Sequence, residues 1–78
     1  MNEMNEMNEM NERLQFFLDN NIKVHIDLFD GIFLNGFIIG NSKENVWIMN
    51  EEKLGEMILF TKSIAKLQQF MERKEAGI

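Results

Sequence analysis

The chain has 78 residues, no Cys, no Pro, one His and a formal net charge of −5 from 8 Lys+Arg against 13 Asp+Glu. That length holds one small domain. With His25 as the sole imidazole and no thiol, a disulfide framework, a Cys-based zinc site, a Cys nucleophile and a multi-histidine acid–base machine are all excluded, so neither an enzyme nor a metal or cofactor carrier is expected.

Residues 1–12 are four copies of one triplet, Met-Asn-Glu, and hold four of the thirteen acids. The remainder, 13–78, carries 8 basic and 9 acidic residues, so the acidity belongs mostly to the N-terminal repeat. A near-neutral body neither announces nor forbids nucleic acid, because a local cluster of Lys and Arg acts while the total stays near zero. No apolar run approaches the roughly 18 residues of a membrane span. The N-terminus lacks the basic start and apolar centre of a secretory signal. A cytoplasmic protein is expected, with no membrane partner.

The triplet period of three drifts around a helix of about 3.6 residues per turn, so its first copies are expected to be frayed or disordered. The last copies differ. Met7, Met10, Leu14, Phe17 and Leu18 form one apolar stripe, which predicts a helix from about Asn8 to Asp19 that packs through this stripe. Glu9 and Glu12 sit early in it, where the helix dipole favours negative charge, and Asn20-Asn21 supplies a left-handed C-cap.

From Ile22 the period changes to two. Ile22, Val24, Ile26 and Leu28 alternate with Lys23, His25, Asp27 and Phe29, a half-buried strand, and Asp30-Gly31 signals a hairpin turn. The second strand is read as 32–39, with Gly36 marking a bend or a close backbone approach. A polar loop is expected over 40–45, then a third strand, 46–49, apolar on both faces. A polar hairpin over 50–56 follows, in which Glu51, Glu52 and Lys53 read as a solvated charged loop. The fourth strand is 57–60, Thr61-Lys62 is a break, the fifth strand is 63–67, and 68–78 is a charged tail. Trp47 is expected to pack rather than to stack on a ligand. His25 with Asp27 reads as structural or solvated, since no third group orients an acid–base pair. In the tail, Glu72 and Glu75 offset Arg73 and Lys74.

One helix and five short strands with a bent second strand predict a mainly β fold, a small, strongly bent five-stranded barrel. So small a core commonly depends on assembly, and edge pairing of the fourth strand with a neighbour's fifth is the expected route.

The stretch from Val24 to Ile38, with Gly31 and Gly36 set among alternating apolar residues, followed by the shorter stretch Ile58–Ala65, resembles the Sm1 and Sm2 motifs of the bacterial Sm-like RNA chaperones of the Hfq family, within the wider Sm and Lsm group. The likeness spans about residues 14–67. It divides the chain into the repeat (1–12), an Sm-like domain (13–67) and the tail (68–78). It implies a homohexameric ring that binds uridine-rich or adenine-rich single-stranded RNA and serves as an RNA chaperone in post-transcriptional regulation. The pore residues it implies are Lys62, Thr61 and Asn45, and those of the opposite face are Gly31, Ile32, Phe33 and Leu34. Several family positions are altered. Thr61-Lys62 replaces the Lys-His pair. Met10 stands at the Gln position, with Gln15 within reach of a shifted alignment, and the loop aromatic falls near Glu44 or Asn45. Asp27 replaces an aromatic, with Phe29 expected on the same side, and Leu18, Asp19 and Asn21 stand where rim arginines occur. Outside the resemblance Lys62 reads as a solvated hairpin lysine rather than a pore cation; with the resemblance the two readings stand level. The competing reading is a structural Sm-like ring with weak or lost RNA binding.

Overall fold

The computed structural model describes residues 2–71; the tail from residue 72, including Arg73 and Lys74, lies outside the described residues. Helix α1 spans Asn2–Asp19, followed by strands β1 (Lys23–Leu28), β2 (Phe33–Lys43), β3 (Val46–Glu51), β4 (Gly55–Phe60) and β5 (Ile64–Gln69), with a 3₁₀ turn at Thr61–Ser63 between the last two. The helix starts well before Asn8. Met and Glu are good helix formers, so propensity carries the repeat beyond the part that packs.

The helix ends as its sequence implies. Asn21 adopts φ +55°, its N–H donates to Leu18 O at 3.3 Å and that of Ile22 to Phe17 O at 3.1 Å, the paired bonds of a Schellman cap. The cap turns the chain directly into β1.

All strand pairings are antiparallel, in the order β4-β3-β2-β1-β5. The β1–β2 connection is a turn in which Gly31 takes φ +93°, Gly31 N–H donates to Leu28 O, and Asp30 Oδ1 accepts from Ile32 N–H at 3.0 Å. Strand β2 continues through the segment expected as a polar loop. Register shifts between Ile38 and Gly40 and between Asn41 and Lys43 let it curve while it stays paired to β3, and Asn45, at φ +66°, makes the reversal. Among the described residues strands β4 and β5 are the two edges of the sheet, and each has one side without a strand partner.

The core lies between the helix and one face of the sheet. Leu14 and Phe17 of α1 pack with Val24 and Ile26 of β1, Leu34 and Ile38 of β2, Trp47 and Met49 of β3, Leu59 of β4, and Ile64 and Leu67 of β5. The period-two pattern of β1 and the stripe of α1 converge on this one cluster. Among the described residues no helix is long and apolar enough to cross a membrane.

At Gly36 the backbone of β2 lies hard against that of β3. A Cβ built there lies 2.1 Å from the Asn50 carbonyl oxygen and 2.9 Å from Glu51 Cα, both backbone atoms that cannot move aside cheaply. Gly36→Ala is expected to destabilise the fold by at least about 1–3 kcal/mol, the cost of forced overpacking. Urea denaturation followed by Trp47 emission measures it.

Candidate nucleic-acid interface

The residues implied for a pore do not share one surface within the chain. Lys62 is exposed on the 3₁₀ turn and borders a cleft of about 610 Å³ between the N-terminal half of α1 and the start of β5. Met7, Met10, Phe29, Ile64 and Ala65 supply its apolar wall, and Glu6, Glu9 and Arg13 its charged rim. Asn45 lies on the other flank of the helix, in a shallower depression of about 250 Å³ that also contains Asn11, Gln15 and Glu44.

Thr61 corrects an expectation outright. It is 3% exposed, and its hydroxyl is used inside the protein. Thr61 Oγ1 donates to Asn11 Oδ1 at 2.6 Å and accepts from Trp47 Nε1 at 3.0 Å, while Trp47 Nε1 also points at Asn11 Oδ1 at 3.1 Å. Asn11 Nδ2 in turn donates to Asn45 Oδ1 at 2.6 Å. A buried indole N–H needs an acceptor, and Asn11 and Thr61 supply it, so Thr61 and Asn45 serve the helix–sheet joint.

The opposite face is formed by the residues of β1 and β2 that alternate away from the core. His25 is in register with Asn35 and Asp27 with Phe33. His25 Nδ1 lies 2.6 Å from Asn35 Oδ1, and Nε2 lies 3.1 Å from Asp27 Oδ1, so the imidazole is held from both sides. Its ring centroid is 5.6 Å from that of Phe33, at an interplanar angle of 36°. Phe33 is 61% exposed and Ile32 beside it is 54% exposed. The result is an open aromatic and aliphatic platform whose orientation is fixed by side-chain hydrogen bonds. Lys66 of β5 is exposed and in register with Asp27, while Lys23 is tied to Glu52 at 2.9 Å and sits 4.3 Å over the Phe70 ring.

Two expectations for this face fail. Leu34 is 2% exposed and belongs to the core, because strand alternation that exposes Phe33 must bury its neighbour. Phe29 does not follow Asp27 onto the platform. Strand β1 ends at Leu28 with a register shift, and Phe29, freed from alternation, lies in the cleft with Lys62. Gly31 is where the turn needs it. The His25–Asn35 partnership was not foreseen; the register of the hairpin, fixed by Asp30-Gly31, was the signal that contained it.

Glu51, expected in a solvated loop, is 5% exposed. Its Oε2 accepts from Asn35 N–H at 3.0 Å and its Oε1 from Lys53 N–H at 2.7 Å and Leu54 N–H at 2.9 Å. The Asn35 amide most of all, helped by those of Lys53 and Leu54, holds this carboxyl below the usual carboxylate range against the opposing effect of burial. Among the described residues no group of three or more His, Cys, Asp or Glu is placed to hold a metal ion. No protein-family model matches the chain, and no curated protein matches it.

Two predictions follow from these contacts. Because Glu51 has a lower pKa folded than unfolded, its contribution to stability is complete above the ordinary carboxylate range and is lost as pH falls through the folded value. Glu51→Gln should destabilise by about 1–3 kcal/mol at neutral pH, since one half of its amide meets a backbone donor with a donor, and should flatten the acid limb of a thermal-unfolding series; an unchanged acid limb would refute this role. Asn11→Ala should cost about 1–3 kcal/mol by leaving the buried Thr61 hydroxyl without its acceptor and Asn45 without its donor, whereas Asn8→Ala, at an exposed position of the preceding triplet, should stay within about 0.5 kcal/mol. Paired denaturation curves separate the two.

Proposed function

We propose that this chain is an Sm-like subunit of the Hfq kind, which assembles through its two free sheet edges into a cytoplasmic homohexameric ring and binds single-stranded RNA as a chaperone. The observation that carries the RNA reading is the exposed Phe33 platform, oriented by the His25–Asn35–Asp27 hydrogen bonds on the face away from the helix. Unpaired bases stack on such surfaces with little regard to sequence, and the adjoining polar groups are positioned to bond base edges. Gly31 and Ile32 lead directly into Phe33, and Lys66, in register with Asp27, supplies a cation beside the platform. Lys62, repeated around a ring, supplies a second, cationic surface for phosphate.

A second reading, a structural ring with little RNA affinity, is favoured by Asp27 on the platform and by Glu6 and Glu9 on the Lys62 cleft. Both readings share the assembly and differ only in RNA.

Light scattering should report about six chains per particle. Fluorescence anisotropy with oligo-A and oligo-U, at low and moderate salt, then decides between them. Phe33→Ala should weaken oligo-A binding by about tenfold or more, the effect of losing 1–3 kcal/mol of stacking. Lys62→Ala should weaken oligo-U binding and reduce its salt dependence. Binding of neither oligonucleotide at moderate salt would leave the structural ring as the correct reading.

A further inference from the structure

The two sheet edges show how copies would join, and the pairing gives the Met-Asn-Glu repeat a task. Along β4 the register with β3 and the bond from Thr61 N–H to Asn45 O turn the backbone groups of Leu59 and Met57 toward β3. Those of Glu56, Ile58 and Phe60 therefore face the open edge. On β5, Phe70 N–H donates to Lys23 O, so Gln68 and Lys66 face β1 while Leu67 and Gln69 face outward. Arg13 donates to the Leu67 carbonyl, which independently places that oxygen on the open side and leaves its second lone pair for an in-plane donor.

Antiparallel pairing of Ile58 with Leu67 of a second copy sets Glu56 against Gln69 and brings Phe60 alongside Ala65, the extra residue at which β5 bulges between Lys66 and Ile64. Side chains of paired residues share a face. Ala65 is small and lines the cleft whose apolar wall includes Met7, Met10 and Ile64. Phe60, 48% exposed in the lone chain, is thereby brought to its mouth.

We infer that the cleft between α1 and β5 is an intersubunit socket in which the third and fourth Met-Asn-Glu triplets, through Met7 and Met10, clamp Phe60 of the neighbouring copy. This rests on the proposed ring and adds a register, a key residue and a role for the repeat. Thioether side chains suit such a socket because they adapt their shape around an aromatic ring.

The chain has no Cys, so single-cysteine variants report contacts between copies without background. A mixture of Glu56→Cys and Gln69→Cys chains should form a disulfide-linked pair on mild oxidation, since a hydrogen-bonded antiparallel pair places its Cα atoms about 5.5 Å apart, inside the disulfide range. Phe60→Ala and Ala65→Phe should each weaken association at least about tenfold, the scale of losing a buried aromatic anchor, with unchanged far-ultraviolet dichroism. Met7→Ser/Met10→Ser should do the same. Assembly without the 56–69 link, or unaffected by Phe60→Ala, overturns the socket and leaves the ring intact. A chain that stays monomeric at all concentrations overturns both. Loss of oligo-U binding but not of assembly on Ala65→Phe would make the cleft an RNA site and overturn the socket.

Discussion

The joint between helix and sheet turns on a single amide. Asn11 accepts from Trp47 and Thr61 and donates to Asn45, tying α1 to β3, to the turn before β5 and to the turn before β3 at once. Apolar packing alone leaves a repetitive helix poorly indexed, because Met and Glu recur every third residue and burial is non-directional. Hydrogen bonds are directional. Leu14 and Phe17 set the depth of the helix on the core, and Asn11 sets its rotation and axial position. The platform on the far face and the cleft beside β5 both inherit their geometry from that placement.

A second constraint acts across the sheet. Gly36 lets β2 approach β3 until there is no room for a side chain, and Glu51, one residue beyond the contact at Asn50, folds its carboxylate back over the β3–β4 turn to take up three backbone donors. One of those donors belongs to Asn35, whose side chain also holds His25. The buried anion and the exposed platform are therefore consecutive parts of one chain of hydrogen bonds, and the hairpin that looks dispensable in the sequence steadies the surface proposed to meet RNA.

Periodicity made much of the fold legible. The change from helical to alternating spacing at Ile22 located the end of α1 and the start of β1, Asn21 and Asp30-Gly31 marked the reversals, and Gly36 marked the close approach. The misreadings share a cause. Polar residues in Gly40–Lys43 looked like a loop but lie on a strand that is paired along one side and curved by bulges, a tertiary outcome that local composition does not encode. The resemblance assigned Thr61 to a pore and composition assigned Glu51 to a solvated loop, whereas burial of a polar residue depends on partners far away in the chain, Asn11 and Trp47 for one and the Asn35 amide for the other. Leu34 and Phe29 were assigned to the wrong surfaces for a simpler reason. The resemblance named positions, while strand alternation and its interruption at Leu28 decided which way the side chains point. Lys62 and Phe33 were identified as exposed candidates, but their environments, acidic for one and imidazole-stacked for the other, came only from the folded chain.

The 18-residue helix packs against the core from Met10 onward, and the molecule measures 48 Å along its long axis against 26 and 25 Å along the other two. Its unanchored portion consists of identical units. Gain or loss of a whole triplet ahead of Met7 would shift the helix start by about 4.5 Å along its axis while presenting the same Met, Asn and Glu to every position already in use. Tandem duplication within the coding sequence, ordinarily ruinous in so small a domain, becomes at this one place a change of length alone.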